Sequence, residues 1–132
     1  MAAPPVLAER PIHLGLGATA IVQPRFTGLD WYEAYGTRNG GDGAEGRLVS
    51  MSTFTESWTS WEMHPAGSEV VLCTAGAMTL VQEDPAGHVS RTTISAGEYA
   101  INPPGVWHTA EIVGEATAVF ITSGLGTEHR PL

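Results

Sequence analysis

The chain of 132 residues has the length of one compact domain, and a composition that is 42% hydrophobic and 15% charged buries enough apolar surface to exclude global disorder. Six Lys plus Arg against 14 Asp plus Glu leave a net charge of −8, which repels phosphate backbones and anionic lipid headgroups. Neither nucleic acid nor a membrane is therefore expected as a partner. Cys73, the single cysteine, closes no intrachain disulfide, no apolar run approaches the roughly 20 residues of a membrane span, and Met1 to Arg10 lacks a charged leader followed by an apolar stretch, so a reducing cytoplasm is expected.

Sixteen Gly and nine Pro punctuate the chain too often for long helices and suit many short strands joined by turns, an all-β single domain. Residues 1–46 read as an N-terminal arm, and Gly15-Leu16-Gly17-Ala18-Thr19-Ala20 within it matches the G-x-G-x-x-A dinucleotide fingerprint. That match is a coincidence, since the fingerprint needs a strand before it and a helix after it, and Ile21, Val22 and Pro24 are poor helix formers. The first strand is expected over Ala18 to Phe26, a short helix over Gly28 to Tyr35, and over Gly36 to Gly46, which holds five glycines, a flexible surface loop that is either a plain connection or a lid. Residues 47–122 read as a barrel core, with strands over Arg47 to Trp61, Glu69 to Cys73, Met78 to Gln82, Ser90 to Ile94, Tyr99 to Asn102, Trp107 to Ile112 and Ala116 to Thr122. Residues 123–132 form a tail in which His129 either folds over the barrel mouth or is solvated, the latter being expected since chain ends are commonly free.

The chemistry concentrates between Trp58 and His108. Glu62 and His64 are two apart, so in a strand both project from one face. Pro65-Ala66-Gly67-Ser68 reads as a turn that returns Glu69 towards the same place, and His108 follows a second turn, Pro103-Pro104-Gly105.

These residues carry a resemblance to the cupin family, whose two motifs run G-x5-H-x-H-x(3,4)-E-x6-G and G-x5-P-x-G-x2-H-x3-N. The chain has Glu62-x-His64-x4-Glu69-x6-Gly76 and Gly97-x5-Pro103-x-Gly105-x2-His108-x3-Ile112, with twenty residues between Gly76 and Gly97. Three positions depart from the pattern: Glu62 stands at the first His, Ile112 at the final Asn, and Glu56 at the leading Gly. The resemblance implies a double-stranded β-helix, or jelly-roll barrel, with a divalent-metal site at His64, Glu69 and His108. Glu62 is added as a fourth ligand, and as a catalytic base, from its location. Imidazoles and carboxylates together suit Fe, Mn, Ni or Zn. Two other readings stand beside this one: a metal-free pocket in which Glu62 and Glu69 share a proton, and a Glu62 turned outward to a surface Arg.

Strand parity places Trp58 and Ser60 with the ligands, Val71 and Cys73 in line with Glu69, and Val106, Ala110 and Ile112 in line with His108. These residues either make an apolar pocket suited to an aromatic or aliphatic part of a small molecule or are ordinary barrel core, and Tyr99 and Trp107 either close the opening or pack between strands. Trp61, Met63, Val70 and Leu72 fall on the opposite face, which a homodimer would cover, and the resemblance implies exchange of the Ala18 to Phe26 strand. The expected function is thus that of a small metal-binding enzyme of oxygenase, isomerase or lyase type, or else a non-catalytic binder of a small ligand or metal.

Overall fold

A computed structural model describes residues 3–132; residues 1–2, where the segment read as lacking a leader begins, lie outside it. The described residues form nine strands and one α-helix: β1 (Ile12–Gly15), β2 (Thr19–Val22), α1 (Leu29–Asn39), β3 (Arg47–Phe54), β4 (Ser60–Met63), β5 (Glu69–Glu83), β6 (Val89–Ser95), β7 (Tyr99–Asn102), β8 (Trp107–Thr122) and β9 (Glu128–Pro131). All pairings are antiparallel, as in a jelly roll.

Two long strands run through the whole barrel. The first half of β5 lies between β7 and the second half of β8, whose other neighbour is β3; the second half of β5 lies between β6 and the first half of β8, which reaches β4. Both long strands turn from one sheet into the other near glycines with positive φ, Gly76 and Gly114, and the β5–β8 register shifts on either side of Gly76. A side chain at Gly76 is excluded, because a Cβ there would sit 2.1 Å from the Glu115 carbonyl oxygen. The expected strand pairs Glu69 to Cys73 with Met78 to Gln82, and Trp107 to Ile112 with Ala116 to Thr122, are therefore single strands that bend. The expected Arg47 to Trp61 strand is instead two strands, β3 and β4.

Inward parity gives the core. Val71, Cys73, Met78, Leu80, Ile94, Ala110, Ile112, Ala116, Ala118 and Phe120 are buried together, with Phe54, Trp58 and Ala100 packed against them. Within β7 the residues opposite the core side, Tyr99 and Ile101, are exposed, whereas Asn102 is buried.

The N-terminal part is more ordered than its composition suggests. β1 pairs with β3 and carries β2 on its other edge, so the expected Ala18 to Phe26 strand is short and belongs to a hairpin within the same chain. α1 extends through Asn39, and Gly40–Glu45 forms a 3-10 turn, replacing the flexible loop expected there. Asp30 in the first turn of α1 and Arg38 in the last complement the helix dipole. The segment is pinned by buried His13, whose Nε2–H donates to Asp42 at 2.6 Å while its Nδ1 accepts from the Tyr35 hydroxyl at 2.6 Å. Trp31 stacks on Tyr35 and donates to the Pro24 carbonyl, and the Ser123 hydroxyl at the end of β8 donates to the Ala44 carbonyl.

Candidate metal centre

The two sequence motifs meet through backbone pairing. Glu62 of β4 lies directly opposite His108 of β8, and the Gly105 amide donates to the His64 carbonyl, tying the turn after β4 to the turn before β8. Glu69 opens β5 opposite both Asn102 and Thr122. One ligand atom from each of Glu62, His64, Glu69 and His108 lies within 4.8 Å of all the others.

The donor atoms face one another closely. His64 Nε2 is 2.9 Å from Glu62 Oε1 and 3.2 Å from Glu69 Oε2, while His108 Nε2 is 3.2 Å from Glu69 Oε1 and 4.0 Å from Glu62 Oε1. Both Nε2 atoms are buried, yet neither makes a hydrogen bond, since the carboxylates are near without being aligned.

The far sides of His64, His108 and Glu69 are held by neighbours, the kind of support that would orient ligands at a metal. The Thr127 hydroxyl donates its one proton to the Gly124 carbonyl at 2.8 Å, so at 2.8 Å from His64 Nδ1 it accepts the ring N–H. That arrangement leaves His64 Nε2 for the cluster. His108 Nδ1 lies 3.4 Å from the Val106 carbonyl, which orients the second ring the same way. Glu69 accepts from Asn102 Nδ2 at 3.0 Å on Oε1 and from the Thr122 hydroxyl at 2.6 Å on Oε2, and Gln82 fixes the Asn102 amide at 2.7 Å.

The electrostatics describe a self-neutralising cluster. Burial alone would lower the His64 pKa, but the carboxylates of Glu62 and Glu69 beside the ring push it up to about 9. Burial acts to raise both carboxyls, and the two imidazoles override it, holding Glu69 well below the usual carboxylate range and Glu62 below its ordinary value. On α1 the Tyr32 ring, 46% exposed, packs against Phe26 and Trp31, and its pKa is raised by desolvation first and then by the negative charge of Glu62 and Glu69. Two imidazoles and two carboxylates, with buried nitrogens aimed at one point and without a hydrogen-bond partner among the described residues, fit a divalent cation of the Fe, Mn, Ni or Zn type.

The remaining predicted residues separate into three groups. Val71, Cys73, Ala110 and Ile112 are core residues, and Val106 is buried in the turn before His108. Trp58 packs on that core with its ring 6.2 Å from His108 and its indole N–H buried without a partner, while half-buried Ser60 accepts the Thr109 hydroxyl through its carbonyl. Tyr99 does not close the opening. It is 64% exposed on the outer face, because β7 pairs with β5 so that Asn102, opposite Glu69, and Ala100 are the residues turned inward.

Trp107 is likewise engaged elsewhere, under the Arg130 guanidinium at 4.6 Å, with Trp61 on Arg130 at 5.2 Å. The outer face of β4 is thus covered in part by the chain's own end rather than left bare for a second copy. Sequence reasoning missed Asn102, Thr122 and Thr127, which carry no motif of their own. β9 pairs with β4 and sets His129, still 61% exposed, directly opposite Glu62, their side chains 3.2 Å apart.

Comparison with functionally curated proteins gives no match. Among solved structures the chain is similar to peruvianin-I, a cysteine peptidase from Thevetia peruviana latex, at 20% identity and a TM-score of 0.55 over 65% of this chain and 56% of that one. It is similar to an oxalate oxidase at 20% identity and a TM-score of 0.55 over 61% of this chain and 44% of that one. A protein with a double-stranded β-helix domain from Klebsiella pneumoniae matches at 20% identity and a TM-score of 0.53, over 65% of this chain and 76% of that one. The chain thus spans about half the length of the first two, and identities this low establish a common fold alone. The model of the Cupin domain matches residues 54–124, more than half the chain and the whole stretch that supplies the four clustered side chains: the chain belongs to the cupin family.

Proposed function

We propose that this cupin binds a divalent cation through Glu62, His64, Glu69 and His108 and acts as an enzyme on a small organic molecule. The observation that carries the reading is the pair of buried Nε2 atoms, from His64 and His108, that face two carboxylates without a hydrogen bond. When bound, the cation supplies Lewis acidity and, if it is a redox metal with an open face, a route to oxygen chemistry.

The chain's own residues divide the remaining work. Glu69, 3% exposed and bonded on both oxygens, is fixed and serves to hold charge. Glu62, 27% exposed, is the carboxylate a substrate reaches, and it serves as the base that takes a proton from it. Trp58 and the apolar residues behind it exclude water and favour an aromatic or aliphatic portion of the ligand.

Charge selects the substrate class. Two carboxylates formally neutralise a dication, whereas three imidazoles and one carboxylate would leave a charge of about +1 to attract anions. Neutral or weakly acidic enols, diketones, catechols or sugars are therefore favoured over dianions such as oxalate, although an oxalate oxidase shares the fold. The reading includes a cytoplasmic homodimer, supported by β2, whose four residues are all exposed and which ends the sheet.

The test is aerobic turnover of the metal-loaded protein on such a panel, with oxygen uptake recorded and products identified by mass. Metal-dependent turnover of a neutral or weakly acidic member, abolished in Glu62→Gln, is expected. Oxygen uptake distinguishes oxygenation from isomerase or lyase chemistry. Preferential binding of a dicarboxylate, or tight retention of a ligand without turnover, would overturn the reading, the latter in favour of a binding protein.

A further inference from the structure

Glu62 shares its carboxylate with a residue outside the cluster. Its Oε1 faces His64 at 2.9 Å and His108 at 4.0 Å, while its Oε2 faces His129 Nε2 at 3.2 Å. His129 is not among the four residues whose ligand atoms converge, so it touches only the oxygen turned away from the imidazole pair. Cross-strand pairing explains the contact, since Glu62 and His129 are register partners in β4 and β9, and directly opposed side chains stand on the same face.

The strand that brings His129 there is fastened on both sides of it. Before it, Thr127 accepts the His64 ring N–H at 2.8 Å. After it, Arg130 lies between the Trp61 and Trp107 rings, at 5.2 and 4.6 Å, and pairs with Glu83. The last turn of the chain is thus anchored against both ligands that β4 and its following turn supply, and an imidazole N–H donates to one of them.

We propose that His129 is a positioning residue of the metal centre: by holding Glu62 Oε2 it fixes the carboxylate so that Oε1 alone is presented to the cation. This rests on the metal-binding reading above. Partners of this outer kind are worth about 10- to 100-fold in cation affinity, and the exposure of His129, at 61%, puts it near the lower end of that range, about tenfold.

The test titrates Co(II) into the metal-stripped full chain and reads affinity and visible spectrum together, for wild type, His129→Leu and His129→Gln. Leucine keeps strand character but donates nothing, whereas the glutamine amide restores a donor. His129→Leu is expected to bind about tenfold more weakly with an altered spectrum, and His129→Gln to regain most of both. The altered spectrum is a readout that loosening of β9 alone would not produce, and unchanged thermal unfolding of the metal-free variants confirms that the strand is in place.

Equal affinity and an identical spectrum in His129→Leu would overturn the proposal while leaving the metal site standing. Equal loss in both variants would overturn it in favour of direct ligation by the imidazole. Failure of the wild type to take up Co(II) would remove the metal-binding reading itself, and the proposal with it.

Discussion

In the metal-free chain the pH dependence of stability carries the signature of the cluster. The His64 pKa is pushed up in the folded chain to about 9 from the ordinary histidine value of 6.5. A group raised in this way stabilises the fold fully below its unfolded pKa and loses that contribution as pH climbs through the folded one. At about 1.4 kcal/mol per unit, a rise from 6.5 to about 9 corresponds to about 3 kcal/mol, and His64, at 3% exposure, has little solvent to screen it. The depressed Glu62 and Glu69 are the other halves of the same interactions, so their contribution is not added. For a chain of 132 residues the loss is roughly 10 °C in the unfolding midpoint. Scanning calorimetry in the presence of a chelator, from pH 6.5 to above 9, should show this fall, and His64→Gln should flatten it. A saturating divalent cation should reverse the slope, because imidazole binds it only when unprotonated and binding to the folded state alone adds stability. A chelated wild type whose midpoint stays level or rises over that range, or a slope that survives in His64→Gln, would refute the reasoning.

Three further outcomes follow from individual contacts. Gly76→Ala places a Cβ 2.1 Å from the Glu115 carbonyl at a φ of +70°, and a loss of about 3 kcal/mol or more, or failure to fold, is expected in denaturant titration. His13→Ala removes a buried ring that bridges Asp42 and Tyr35; about 2–4 kcal/mol should be lost, and hydrogen exchange should quicken first in α1 rather than in β5 and β8. Asn102→Ala frees one oxygen of Glu69, so cation affinity measured by competition with a chelating dye should fall about 10- to 100-fold.

What the sequence reveals depends on whether a feature is local. The spacing of Glu62, His64, Glu69 and His108 is legible because strand side chains alternate with a period of two and short Pro/Gly turns fix the return of the chain. The same alternation sorts buried Val71 and Cys73 from half-buried Val70 and Leu72. β9 is not legible: Glu-His-Arg-Pro has no strand pattern, and its extended form comes from pairing with β4 and from Arg130 between two indoles. The glycine-rich stretch after α1 reads as a loop because its anchors, His13 on Asp42 and Ser123 on the Ala44 carbonyl, lie far away in the chain. Tyr99 fails for a related reason, since its side is set by the register of β7 on β5, which places Asn102 rather than Tyr99 beside Glu69.

The central claim is that four side chains from two separated motifs hold one divalent cation inside the barrel. Anomalous diffraction from crystals of the protein purified after growth with iron, manganese, nickel and zinc tests it most directly. The expected result is a single strong peak about 2.0–2.2 Å from His64 Nε2, His108 Nε2, Glu62 Oε1 and one oxygen of Glu69. No anomalous density there in crystals soaked with each of the four metals, with the imidazoles instead bonded to the two carboxylates, would contradict it.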